Sequence, residues 1–253
     1  MSAGEAALTT RSTGSLAQLA SLPRQARIAG LCYLLVIAGG LFAEGVVHGS
    51  LVVLGDAAAT TQAIAANESL WRWGLAVHLC YLVPAGAMNV IIYGLVRPVQ
   101  ATLARVALVF SMASVAIEAM ALVSLYVPLA IMEESGALAA LGDGQRQALS
   151  YLAIRLFSVG FGFGLVLFAI FCVLTGMLIL RSRPVPHLIG AMMIAAGVCY
   201  IVNSLAAILS PPLSNLIFPW VLLPILLGEL SLALWLAVKG ASLECRSAER
   251  QIS

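Results

Sequence analysis

The sequence predicts an all-α integral membrane protein, a bundle of six transmembrane helices with the N- and C-termini in the cytoplasm. Of its 253 residues, 62% are hydrophobic and 9% are charged, whereas a soluble domain is about half apolar and about a quarter charged. Because so few charged side chains cannot cover a globular surface, the lipid bilayer must be the solvent. The formal net charge of +2 gives no reason to expect a nucleic-acid partner.

Six apolar segments are long enough to cross a bilayer as helices, which takes about 20 residues. They cover residues 28–47, 72–96, 104–131, 151–180, 187–209 and 216–238. Together they form one transmembrane domain over residues 27–240, between polar cytoplasmic tails at 1–26 and 241–253. The N-terminal tail lacks the short apolar core of a cleavable signal peptide, so we expect the first span to direct insertion.

The charges of the loops predict the orientation of the spans. One side of the membrane receives most of the basic residues, which are Arg24, Arg27, Arg97, Arg105, Arg181, Arg183, Lys239, Arg246 and Arg250. The other side has Arg72 and Arg146 among acidic residues such as Asp56 and Glu68. Cytoplasmic loops of membrane proteins are enriched in Lys and Arg. The bias therefore predicts cytoplasmic termini and three outer loops, after the first, third and fifth spans.

Two of the outer loops carry local structural signals. In the first, Asp56 precedes an alanine-rich stretch and can cap a short helix over residues 57–66. In the last, the sequence SPPLSN predicts a tight connection around two prolines. None of the loops is long enough to form a domain, so candidate functional residues must be sought within the spans.

Polar side chains inside the spans are the strongest functional candidates, because a charge at the centre of a transmembrane helix costs about 2.5–3.5 kcal/mol. The candidates are Glu44, His48, His78, Glu118, Arg155, Asn203 and Glu229. A rise of about 1.5 Å per residue puts most of them in the outer half of the bilayer, and Glu229 close to the middle. This pattern predicts one shared polar cavity that opens outward.

The charges of these candidates do not balance. Three carboxylates, those of Glu44, Glu118 and Glu229, share the spans with one guanidinium, that of Arg155. Because Arg155 can pair with one or two acids, the others must be protonated, paired with histidine or neutralised by a bound cation. We expect Glu229 beside Asn203, where it could stay neutral through hydrogen bonding or bind and release a proton.

Other interpretations of the same residues remain open. Intramembrane Glu, Asn and His often only hold helices together through hydrogen bonds. Glu44 and His48 are four residues apart and share one helical face, so a metal site that also uses His78 and Glu118 is conceivable. A haem between His48 and His78 is another option. Since no second Glu/His pair repeats the first, and no GxGxxG, Walker, HExxH or GxSxG motif occurs, we predict no cofactor and no metal.

Three stretches of the sequence resemble a known family. They are RIAGLCYLLVIAGGLFAE in the first span, GDAAAT after it, and LLPILLGELSLALWLAVKG at the end of the last span. Together they resemble the bacterial membrane family catalogued as domain of unknown function 4386, over roughly residues 24–240. The resemblance implies a six-span protein of the bacterial plasma membrane. It implies no activity.

The leading functional prediction is a binding or transport protein for a small cationic or lipophilic solute, with proton coupling as an option. Glu44, Glu118 and Glu229 would bind the solute or protons, and Arg155 would be a counter-charge. One alternative is a non-catalytic accessory subunit of a larger membrane complex, and another is an intramembrane metal- or haem-binding enzyme. Expected partners are the lipid bilayer, a small solute, and other membrane subunits or a second copy of the chain.

Overall fold

The computed structural model describes residues 24–133, 140–182 and 185–239, and the regular structure in these ranges is helical. Six of the described helices are long and apolar enough to cross a membrane: α1 (Arg24–Leu51), α3 (Glu68–Val96), α4 (Ala101–Met132), α5 (Asp143–Arg181), α6 (His187–Leu209) and α8 (Leu222–Lys239). Two short helices, α2 (Ala57–Ala66) and α7 (Pro211–Ile217), lie between them. The predicted all-α, six-span class is confirmed. The cytoplasmic location of the termini stays a prediction.

The bounds of several helices differ from those predicted. α5 begins at Asp143 instead of residue 151, and α8 begins at Leu222 instead of residue 216. The tight connection expected before α8 is the short helix α7, whose prolines occupy its first positions, where the fixed φ of proline suits a helix start. α1 begins at Arg24 and so includes the end of the predicted N-terminal tail. The rest of that tail and the tail at 241–253 lie outside the described residues.

The six long helices pack in a closed ring. α5 packs against α4 and α6, α4 packs against α3, and α6 packs against α8. α1 closes the ring, because it contacts α3 and also approaches α8. That approach is close: a Cβ added to Gly30 would lie 2.3 Å from the backbone nitrogen of Ala237. A small residue at position 30 therefore allows the two backbones to meet.

The short helix α2 marks one end of the bundle, which we call the α2 end. As predicted, Asp56 caps α2, with its Oδ1 accepting a hydrogen bond from the Ala59 N–H at 2.8 Å. The preceding turn is fixed to α5 by a hydrogen bond of 2.7 Å from the Gly55 N–H to the Tyr151 hydroxyl. α5 has 39 residues and is therefore about 58 Å long, well beyond the roughly 30 Å of a bilayer core.

The apolar core has two parts. A cluster near the α2 end includes Trp71 and Phe157, and a cluster toward the opposite end includes Phe171 and Met193. Large apolar side chains such as Val83, which is 76% exposed, point outward from the bundle. In a protein of this class such side chains contact the acyl chains of the bilayer. The candidate site described next lies inside the cluster at the α2 end.

Candidate functional site

The first part of the site is a π-helical segment in α1. Residues Leu41–His48 form a π-helix, whose hydrogen bonds join residues five apart, and such segments are frequent at functional sites. Within it, His48 Nδ1 lies 3.1 Å from Glu44 Oε2. The two residues therefore share one face of the helix, as predicted, and they are also in contact. The π-helical geometry was not predicted.

His78 of α3 joins this pair to a second carboxylate, on α4. Its Nε2 lies 2.9 Å from Glu118 Oε1, and its Nδ1 lies 3.7 Å from Glu44 Oε1. The imidazole is only 1% exposed, whereas the side chain of Glu118 is 14% and that of Glu44 32% exposed. One buried imidazole thus stands between two less deeply buried acids that come from different helices.

Tyr81, one turn after His78 on α3, completes the arrangement. Its hydroxyl donates a hydrogen bond to the Glu118 carboxylate, and its ring stacks on His78 with centroids 4.8 Å apart. Sequence reasoning missed this residue because a tyrosine inside an apolar span counts as hydrophobic. The signal that could have found it is its position three residues after His78, on the same helical face.

We call these five residues the His–Glu cluster: Glu44, His48, His78, Tyr81 and Glu118. They form a chain of contacts that enters the bundle from the α2 end. His48 is three residues from the end of α1, and Glu118 is 14 residues from the end of α4, which corresponds to depths of about 5 Å and about 21 Å. The chain therefore runs from near the α2 end toward the middle of the membrane.

Aromatic side chains enclose the two histidines. The ring of His48 packs against Trp71 and Phe157, with centroids 5.3 and 5.1 Å apart. The ring of His78 packs edge-on against Phe157 at 5.4 Å. Trp71 is itself held by a buried hydrogen bond of 3.1 Å from its Nε1–H to the Leu125 carbonyl. These contacts restrict the rotation of both imidazoles and keep them in reach of the acids.

The number of protons on His78 determines how many of the two carboxylates it can donate to. A neutral imidazole has one N–H and can donate to one of the two carboxylates, whereas an imidazolium can donate to both. The alternative is a neutral His78 beside one protonated acid. Both arrangements hold one proton more than two ionised acids with neutral histidines would hold. One added proton would therefore give His78 an N–H toward each of the two carboxylates.

One contact within the His–Glu cluster, between His78 and Glu44, is not a hydrogen bond. The 3.7 Å between His78 Nδ1 and Glu44 Oε1 is too long for a direct hydrogen bond, and Glu44 Oε1 is a buried oxygen with no hydrogen-bond partner among the described residues. A cavity of about 10 Å³ lies beside the two histidines and is lined also by Trp71 and Leu75. That volume is at the lower limit for one water molecule.

The sequence also suggested a metal site or a haem at these residues. Among the described residues, no group of three or more His, Cys, Asp or Glu side chains is arranged to hold a metal ion. Both nitrogens of His78 and Nδ1 of His48 face carboxylate oxygens in the cluster. A haem between His48 and His78 would need far more space than the small cavity beside them provides.

Glu229 lies in a separate place, between α8 and α6. It is buried, and its Oε1 accepts a hydrogen bond of 2.7 Å from the Tyr200 hydroxyl. The partner expected from the sequence was Asn203, which lies three residues further along α6. The structure therefore places Glu229 against a tyrosine that sequence reasoning did not consider. The polar residues of the spans thus form two hydrogen-bonded groups, the His–Glu cluster and the pair of Glu229 with Tyr200, and Tyr200 also interacts electrostatically with Glu118.

Arg155 belongs neither to the His–Glu cluster nor to the pair of Glu229 with Tyr200. Its side chain on α5 is exposed, and the ion pairs found among the described residues do not include it. A long side chain can extend from the apolar part of a span toward the membrane surface, and α5 is long enough to bring Arg155 near that surface. The role of Arg155 as counter-charge to the buried acids has no support in this geometry.

Fold and site together define a multi-pass membrane protein with a buried histidine–carboxylate cluster open to one end of the bundle. The family described as "Domain of unknown function (DUF4386)" matches residues 28–240. The match covers most of the chain, so the protein belongs to this family, as the resemblance of its sequence indicated. Neither the curated proteins nor the solved structures contain a match to it.

Proposed function

We propose that this protein binds or transports a small cationic or lipophilic solute in the bacterial plasma membrane, coupled to the binding of a proton in the His–Glu cluster. The cytoplasmic location of both termini is part of the proposal and is supported by the distribution of Arg and Lys in the loops. The family carries no assigned activity, so the proposal is based on the site.

The observation that carries the proposal is the chain from His48 through Glu44 and His78 to Glu118. Charged and titratable groups inside a membrane are costly, and they mark ion paths and proton relays in pumps and transporters. Here two imidazoles alternate with two carboxylates at distances of 3.1, 3.7 and 2.9 Å. A proton can pass along such groups if the middle link closes by a small rotation of Glu44 or through one water.

The size of the cavity limits what reaches the cluster in this conformation. About 10 Å³ admits a proton or one water molecule and excludes a larger solute. A solute must therefore come from another side or bind after a conformational change. Protonation of the cluster would alter the charge around His78, and such a change in buried charge can shift the balance between two conformations.

Glu229 is the third acid of the proposal. It lies near the middle of the membrane and keeps a single hydrogen bond, from Tyr200, among the described residues. Its separation from the His–Glu cluster fits a carrier in which protons and solute occupy different places. Glu229→Gln should therefore impair solute movement while leaving the protonation of the His–Glu cluster intact.

The proposal can be tested on purified protein in two steps. Difference infrared spectroscopy in nanodiscs should show a carboxylic acid band that forms on acidification and is lost in Glu118→Gln. Asp143→Asn, which removes an exposed acid from the first turn of α5, is the matched control and should keep the band. Proteoliposomes should then accumulate tetraphenylphosphonium when a pH gradient is imposed, and Glu118→Gln should abolish this uptake.

The infrared spectrum tests proton binding, and the uptake of tetraphenylphosphonium tests transport. A cluster whose infrared spectrum does not change between acidic and alkaline pH would exclude proton binding and overturn the proposal. A spectral change without any pH-driven movement of the cation would limit the protein to proton binding, and would favour an accessory subunit over a carrier.

A further inference from the structure

A lateral groove lies on the outer surface of the bundle, between α3 and α4. Its volume is about 420 Å³, which is within the range of about 300–1,000 Å³ typical of small-molecule sites. Its walls are mostly apolar and include Leu75, Leu79, Ala119 and Leu122, with Tyr126 and Arg72 toward the α2 end. Because both helices span the membrane, the groove faces the acyl chains of the bilayer.

Arg72, the charged residue in the lining of the groove, is paired with two carboxylates that lie just beyond that lining and form its acidic rim. Arg72 forms ion pairs with Glu68, at 2.6 Å, and with Glu133, at 3.5 Å. One guanidinium faces two carboxylates, so the three groups have a net formal charge of −1. The aromatic ring of Tyr126 is 51% exposed and can contact a cation through its face. This end of the groove is therefore suited to a positively charged group.

Leu75 connects the groove to the His–Glu cluster. Its side chain lines the small cavity beside His48 and His78 and also lines the lateral groove. Glu118 precedes Ala119, which lines the groove as well. A single leucine side chain thus separates a lipid-facing groove from the buried histidines.

We propose that this groove is the lateral binding site of a lipophilic monovalent cation, which reaches the His–Glu cluster past Leu75. The inference rests on the proposed function and deepens it, because it assigns the class of solute and the direction of approach. The apolar walls bind the hydrophobic part of the molecule, and the acidic rim with Tyr126 binds its charge. A phospholipid would also fit the walls, but an anionic headgroup would meet the excess carboxylate.

The test uses two probes of similar size and shape with opposite charge, tetraphenylphosphonium and tetraphenylborate. Binding is measured by equilibrium dialysis with protein in phosphatidylcholine nanodiscs, and empty nanodiscs correct for partition into lipid. Ala76→Trp fills the groove, since Ala76 is exposed and lines it. Ala195→Trp places the same side chain at an exposed position on α6, away from the groove, and is the matched control.

We expect the phosphonium to bind in a protein-dependent manner. Ala76→Trp should raise its Kd by about tenfold or more, whereas Ala195→Trp should leave the Kd unchanged. Glu133→Gln should also weaken binding of the phosphonium, because this substitution removes one of the two carboxylates paired with Arg72. Equal binding of the borate, or binding that Ala76→Trp does not alter, would overturn the inference. If Ala76→Trp does not fold, Ala119→Phe fills the same groove from α4.

Failure of this inference can be told apart from failure of the proposed function. Probe binding to the groove does not require Glu118 to bind a proton, so Glu118→Gln should still bind the phosphonium. If the probe does not bind the groove but the infrared response is intact, the proton site remains supported and only the lateral route is excluded.

Discussion

A double-mutant cycle on His78 and Glu118 would decide whether the His–Glu cluster is charged or is ordinary hydrogen bonding between helices. The variants are His78→Leu, Glu118→Leu and the double substitution, and the measured quantity is the free energy of unfolding in mixed micelles. Interhelical hydrogen bonds in membrane proteins contribute about 0.6 kcal/mol on average and about 1.7 kcal/mol at most. A coupling energy within that range would indicate neutral hydrogen bonding.

A charged pair should give a larger coupling. Unit charges separated by the 2.9 Å between His78 Nε2 and Glu118 Oε1 attract by about 6 kcal/mol at an effective dielectric constant of 20. Desolvation offsets part of this attraction, so we expect a coupling of about 2–4 kcal/mol near neutral pH. His78→Leu alone should cost about 3–5 kcal/mol, because it leaves a carboxylate buried without its cation.

The pH dependence provides the internal check. The coupling should be largest where the imidazole is protonated and the carboxyl ionised, and should fall on both sides of that range. The exposed pair of Arg72 and Glu68 is the external control and should give only about 0.3–0.5 kcal/mol. A His78–Glu118 coupling near 0.6 kcal/mol at every pH would refute the charged pair and would indicate neutral hydrogen bonding between these two residues.

Three further predictions follow from individual contacts and from the loop charges. Trp71→Phe removes the hydrogen bond to the Leu125 carbonyl and should lower the free energy of unfolding by about 1–3 kcal/mol; unchanged unfolding would mean that the bond contributes nothing. A Cβ at Gly228 would lie 2.6 Å from the Met192 carbonyl oxygen, so Gly228→Ala should destabilise the packing of α8 on α6. Gly94→Ala, where no atom lies within 4 Å of the added Cβ, should instead be neutral or stabilising by up to about 1 kcal/mol. Reporter enzymes fused to the N- and C-termini should both be active only in the cytoplasm, and a periplasmic signal at either end would contradict the predicted orientation.

The six spans could be predicted because length and hydropathy are properties of a single helix. The same applies to the cap of α2 by Asp56 and to the pairing of Glu44 with His48, which depend on residues close in sequence. The chosen polar residues of α1, α3 and α4 also proved to lie together. Their depths, counted from the ends of the spans, were sufficient to place them in the half of the bundle toward the α2 end.

What the sequence could not provide is the rotation of each helix about its own axis. Asn203 and Tyr200 lie almost one turn apart on α6, and only the packing against α8 determines which of them meets Glu229. Arg155 was expected among the acids because it lies at a similar depth, yet its side chain points outward. The tyrosines were overlooked because hydropathy treats them as apolar, although each has a hydroxyl that a buried carboxylate can use.

The π-helical segment of α1 has a consequence for the angular phase of that helix. Gly30 and His48 are 48 − 30 = 18 residues apart, which in an uninterrupted α-helix is about five whole turns, so both would face the same neighbour. Instead Gly30 meets α8, while His48 packs against Trp71 of α3 and Phe157 of α5. Additional residues per turn over Leu41–His48 allow the two halves of α1 to face different partners. Regular α-helical winding of the same residues would turn His48 back toward the direction of α8, so the cluster depends on the winding of α1 as well as on its chemistry.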